Sequence, residues 1–75
     1  MQYEVLKSLL NKTLSIKDLI DFLKNKIGGE GDESIIDDTF FYTIDEYNEI
    51  KIKFTKENIC YEKIKIISVE IIKLD

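Results

Sequence analysis

The stretch from Glu49 to Ile67 sets the tightest limits on what this chain can fold into. Ile50, Ile52 and Phe54 alternate with Lys51, Lys53 and Thr55, the period-two pattern of a strand with one dry and one wet face. Lys56-Glu57-Asn58 interrupts that pattern and Ile64 and Ile66 resume it, so the two runs read as an antiparallel hairpin. A lone hairpin cannot keep its apolar face from water, and the rest of the chain must cover it. The second run also changes phase, because Ile64 and Ile66 point one way and Ile67, Val69 and Ile71 the other. Either both faces are covered there or a β-bulge near Ile66-Ile67 re-phases the strand, and a bulge suits a small domain better.

The covering elements lie upstream. Val5, Leu6, Leu9 and Leu10 fall at helical spacing within residues 3–11, and Lys12-Thr13-Leu14 reads as a short break. Ser15 is suited to cap a second helix, with Asp18 near its positive end. Ile16, Leu19, Ile20, Leu23 and Ile27 form an apolar stripe, and Gly28-Gly29 ends it. Thr39 to Ile44 is rich in β-branched and aromatic residues and predicts a strand. The near-helical spacing of Ile36, Phe40, Ile44 and Tyr47, with Ser34 as a cap, leaves a helix over 34–47 as the alternative.

These readings predict a single α+β domain over residues 1–75, with two N-terminal helices packed on a three-stranded antiparallel β-meander at 36–45, 49–56 and 59–73. The expected core is Leu6, Leu9, Leu10, Leu19, Ile20, Leu23, Ile27, Ile50, Ile52, Phe54, Ile64 and Ile66. The alternative is a winged-helix-like arrangement with 34–47 helical.

Composition removes most catalytic chemistry. Without His there is no imidazole base, and without Arg there is no bidentate clamp for phosphate or carboxylate. The 75 residues are also few to enclose a substrate pocket of the usual ~300–1,000 Å³. Gly28-Gly29-Glu30-Gly31 follows a helix, lacks the Gly-Lys-Ser/Thr of a phosphate loop and carries the wrong charge for one. Glu30, Asp32 and Asp37 do not follow the EF-hand spacing, so neither metal nor cofactor is expected. Cys60, between Ile59 and Tyr61, reads as a small buried hydrophobe and cannot form an internal disulfide. No apolar run is long enough for a membrane span and no signal-peptide pattern opens the chain, which predicts a cytoplasmic location.

Charge is the feature that points to function. Between Ile27 and Ile50 stand eight acids, Glu30, Asp32, Glu33, Asp37, Asp38, Asp45, Glu46 and Glu49, and no lysine. The other residues hold seven acids and eleven lysines, so the net −4 divides into −8 and +4. Such a block repels nucleic acid and attracts a basic protein surface. Strand alternation leaves Phe41 available among the acids, with Tyr47 close by, as anchors for a protein partner. Fourteen isoleucines, with no Ala, Pro, Arg, His or Trp, match the codon use of AT-rich bacteria and their phages.

Two local resemblances accompany these readings. Val5-Leu6-Lys7-Ser8-Leu9-Leu10, followed by Leu14-Ser15-Ile16-Lys17-Asp18-Leu19, resembles the first two helices of a winged helix-turn-helix, which would imply a DNA-binding regulator. The segment that would read DNA, Glu33 to Tyr47, carries no Lys or Arg, which such an element needs. Glu33-Ser34-Ile35 is similar to the Glu-Ser-Ile of phage inhibitors of uracil-DNA glycosylase, which imitate the charge of DNA. The leading expectation is a non-enzymatic acidic protein of that broad class, to which anti-CRISPR proteins also belong. It would block a basic site on a nucleic-acid-processing protein inside a bacterial host. The other expectations are the winged-helix regulator and a structural module whose acidic surface merely keeps it soluble or holds it in a homodimer through an exposed strand edge.

Overall fold

The computed structural model describes residues 2–56 and 62–73. In chain order the elements are α1 (Gln2–Lys7), β1 (Thr13–Leu14), α2 (Ile16–Lys26), β2 (Glu33–Ile36), β3 (Thr39–Thr43), β4 (Asn48–Lys56) and β5 (Ile64–Lys73). The strands form one antiparallel sheet in the order β1-β5-β4-β3-β2. That sheet curls into a half-barrel, accompanied by the two short helices. The three-stranded meander expected from the sequence is therefore corrected to five strands. The winged-helix alternative fails as well, because residues 34–47 are strand and turn throughout.

The first added strand comes from a turn inside a run that looked continuous. Asp37 adopts a left-handed φ of 51°, and the Thr39 N–H donates to its carbonyl at 2.7 Å. Aspartate tolerates this conformation better than most residues, so Asp37-Asp38 reverses the chain and sets Ile36 opposite Thr39. The second added strand is the stretch read as a break. Asn11 turns at φ 66°, its N–H reaches the Ile66 carbonyl at 2.9 Å, and the Ile66 N–H returns to Lys12 at 2.9 Å. Thr13 and Leu14 then pair with Lys65 and Ile64. Helix α1 ends at Lys7 rather than near residue 11 because tighter i→i+3 bonds take over, from Leu9 to Leu6 and from Leu10 to Lys7.

The hairpin at the centre follows its alternation. Ile50, Ile52 and Phe54 of β4 are buried, and the residues between them are not. The phase change in β5 is resolved by a bulge. Lys53 pairs with Ser68 and Phe54 with Ile66, leaving Ile67 as the extra residue, 53 % exposed. Beyond the bulge Val69 is buried and Ile71 packs on the core, the same face that Ile64 and Ile66 use.

The core gathers Leu6, Leu9, Leu19 and Leu23 from the helical side with Ile50, Ile52, Phe54, Ile64 and Ile66 from the sheet, as expected. It also takes Phe40, Tyr42 and Ile44, because β3 turns its even-numbered residues inward, and Val69, which the bulge in β5 returns to the core. Ile20 and Ile27 only pack against this core, and Leu10 is exposed, since the helix that would have carried it inward has already ended. Residues 57–61, with Ile59, Cys60 and Tyr61, lie outside the described residues.

Helix α2 is bounded as its sequence predicts. The Asp18 N–H donates to Ser15 Oγ at 3.0 Å, and Gly28, at φ 75°, closes the last turn with its N–H on the Leu23 carbonyl at 2.9 Å. The next glycine has a different task. Gly29 sits at φ 82°, and a Cβ there would run into the backbone oxygen of Ile44, whereas one on Gly28 would meet nothing. Urea unfolding should therefore separate the pair. Gly28→Ala should lose about 1 kcal/mol to left-handed strain alone. Gly29→Ala should lose roughly 3 kcal/mol, because backbone strain and a backbone collision add. Equal losses would mean that the loop does not approach β3 this closely.

Candidate functional site

The eight acids that are consecutive in sequence do not form one face. Strand β3 holds a turn at each of its ends and divides them. Asp37 and Asp38 occupy the β2–β3 turn. At the opposite end the loop after α2 is strapped to β3, by Glu30 N–H to the Ile44 carbonyl at 2.9 Å and Gly31 N–H to the Thr43 carbonyl at 3.0 Å. The Thr43 N–H in turn donates to the Asp32 carbonyl at 2.8 Å. That strapping brings Glu30, Asp32 and Glu33 to the end that carries Asp45, Glu46 and Tyr47. Glu49, opposite Thr43 in the ladder, completes this group. Asp38 and Asp45 are separated by about 20 Å of extended chain, well beyond the ~8 Å screening length at physiological salt. Electrostatically the acids form two groups.

The structure also brings lysine to both groups, which the sequence spacing concealed. Lys56 Nζ lies 3.6 Å from Asp38 Oδ1. A Cβ on Gly31 would lie 3.5 Å from Lys24 Cε, so the stem of Lys24 runs beside the acidic loop. Lys73 is the ladder partner of Asn48 at the same end. The pairing at Asp38 is a surface contact, and contacts of that kind contribute little, about 0–1 kcal/mol.

The aromatics part company. Tyr47 is 64 % exposed at the tip of the β3–β4 turn, inside the larger acidic group. Phe41 is half-buried on the outer face of the sheet, in a row with Ser34 on one side and Lys51 on the other. Lys51 continues that row to Glu70 at 3.8 Å. Phe41 is therefore flanked by Ser34 and a lysine, not ringed by carboxylates.

Two residues have structural duties that the sequence reading did not assign. Asp45 holds its own turn. Its Oδ1 accepts from the Tyr47 N–H at 2.7 Å and the Asn48 N–H at 2.9 Å, and the Asn48 side-chain amide donates to both carboxylate oxygens. The Tyr47 N–H and then the Asn48 side chain hold the Asp45 carboxyl below its ordinary range. The signal was in the sequence, since Asp45 three residues before Asn48 at a strand end favours such a turn. Tyr42 is fully buried, and its hydroxyl donates to the Gly28 carbonyl at 2.7 Å, tying β3 to the end of α2. Burial, and then the charge of Glu33, push the Tyr42 phenol above its ordinary range.

Among the described residues no pocket opens, no group of carboxylate or thiol side chains is placed to hold a metal ion, and no helix is long and apolar enough to cross a membrane. No protein-family pattern, curated protein or solved structure matches the chain.

These placements give opposite pH signatures. A raised Tyr42 pKa contributes stability that is complete below the phenol's unfolded value near 10 and is lost as pH rises through the folded value. Tyr42→Phe should lower stability at neutral pH by about 1 kcal/mol and flatten the alkaline limb of a stability–pH curve. A lowered Asp45 pKa contributes stability above the unfolded carboxyl value near 3.8 that is lost as pH falls through the folded value. Asp45→Ala should reduce the melting temperature at pH 7 and weaken the acid dependence, and Asp45→Asn should retain part of the turn. Unchanged curves for both positions would show that these bonds do not form in solution.

Proposed function

We propose that this chain is a non-enzymatic acidic binding protein that docks on a basic surface of a nucleic-acid-processing protein, in the manner of phage-encoded mimics of DNA. The observation that carries the reading is the group at one end of the half-barrel. There Glu30, Asp32, Glu33, Glu46 and Glu49 share one end of the strands with the exposed Tyr47. Carboxylates in this density steer a basic partner to the end and repel nucleic acid itself. An exposed tyrosine within them supplies a rigid, amphipathic contact of the kind that dominates interface energies. The lack of His and Arg removes the usual means of acid-base and phosphate chemistry, which fits occupancy of a site better than turnover. The reading entails a cytoplasmic place of action in a bacterial cell, with no metal or cofactor.

The geometry also decides how the reading is tested. Asp45 must be left intact because it holds the turn that presents Tyr47. The informative variant therefore carries Glu30→Gln, Asp32→Asn, Glu33→Gln and Glu46→Gln, with circular dichroism and melting confirming the fold. Immobilised wild type should retain a nucleic-acid-binding protein from a bacterial lysate. Added duplex DNA should release it, and the retention should fall as salt rises. The variant and Tyr47→Ala should each retain at least ten-fold less. Equal retention by the four-fold variant, or release that ignores added DNA, would leave the acids as solvated surface and end the mimic reading.

A further inference from the structure

Among the described residues β2 is hydrogen-bonded on one side alone, to β3, and forms one edge of the sheet. The other edge, β1, is two residues long, and so short an edge offers little to pair with. Strand β2 has four residues, and in an antiparallel ladder alternate residues turn their N–H and C=O groups away from the partner strand. On its outer face Ile36 is 62 % exposed beside the turn. Natural edges are usually blunted by charge, proline or a bulge, and along Ser34-Ile35-Ile36 none of these is present. The charges stand instead beyond both ends of the apolar part, Asp32 and Glu33 before it and Asp37 and Asp38 after it.

We propose that β2 is a docking edge that takes up an extended segment of the partner as a sixth strand, apolar at its centre and lysine- or arginine-bearing at both ends. The inference rests on the acidic-binding reading above and names the form in which the partner engages. Backbone pairing would satisfy the outward groups of β2, an apolar residue beside the segment's centre would cover Ile36, and the terminal cations would face the two acidic flanks. The same charges argue against a second copy of the chain. An antiparallel pairing centred on Ile35 would set Glu33 of one copy opposite Asp37 of the other, and Asp32 opposite Asp38, each twice. Like charges directly opposite destabilise a ladder.

The test uses the isotope-labelled full chain and the peptide Lys-Lys-Val-Thr-Val-Lys-Lys. Two controls keep its charge: one is N-methylated at both valines, and the other has glycine and serine in place of the central three residues. Amide shifts should concentrate on residues 33–37, with both controls binding at least ten-fold more weakly. Equal binding by the N-methylated peptide, or shifts confined to the Asp45–Asn48 turn, would overturn the edge proposal while leaving acid-driven docking standing. No binding by any peptide would also overturn it. A dimer at micromolar concentration in sedimentation, with the 33–37 amides at its interface, would overturn it in favour of self-pairing. Loss of the lysate partner's dependence on the acids, with peptide binding at β2 intact, would instead remove the mimic reading and keep the edge.

Discussion

The structure depends on the β4–β5 ladder keeping one apolar face through a change of phase. Ile50, Ile52 and Phe54 need partners on the same side from a strand whose isoleucines switch sides after Ile66. One extra residue, Ile67, is set outside the pairing, and everything beyond it rotates back onto the core. A slip of a single residue would otherwise send Val69 and Ile71 to water. The bulge also adds local twist, which a five-stranded sheet needs if it is to curl around Leu6, Leu9, Leu19 and Leu23.

The parts of the fold legible in the sequence are those where side-chain periodicity and backbone demand agree. The Ser15 cap, the α2 stripe, the glycine stop and the β4 alternation are all of this kind. The five-stranded curl was hidden because its two extra strands hang on single backbone conformations. The reversal at Asp37 uses a residue that takes a positive φ without advertising it as glycine or Asn-Gly would. The edge strand β1 is fixed by pairing with Lys65 and Ile64, some fifty residues later in the chain, and no local pattern reports that. Leu10 was misplaced for a related reason, since four leucine and valine positions at helical spacing do not say where the helix stops.

The candidate site was legible as composition and not as shape. An uninterrupted acidic run suggests a continuous face, yet a chain reversing every few residues deals its members to opposite ends of the strands. Lys56 and Lys24, remote in sequence, come to lie among them. Phe41 and Tyr47 looked equivalent until the sheet set one beside Lys51 and the other in open solvent. Asp45 carries charge like its neighbours but spends its oxygens on the turn, so charge counting overstates what it can offer a partner.

The pairing of β1 with β5 joins Thr13 to Lys65, a separation of 65 − 13 = 52 residues within 75. Such a link adds a contact of long sequence separation to a sheet otherwise built from neighbouring hairpins, and its loop-closure cost falls on the last step of assembly. On the ribosome neither edge of this ladder has its partner until most of the chain has emerged, and Leu6 and Leu9 wait with their apolar surface uncovered. The β2–β3–β4 hairpins pair sequence neighbours and need not wait, whereas β1 can pair only once β5 is in place.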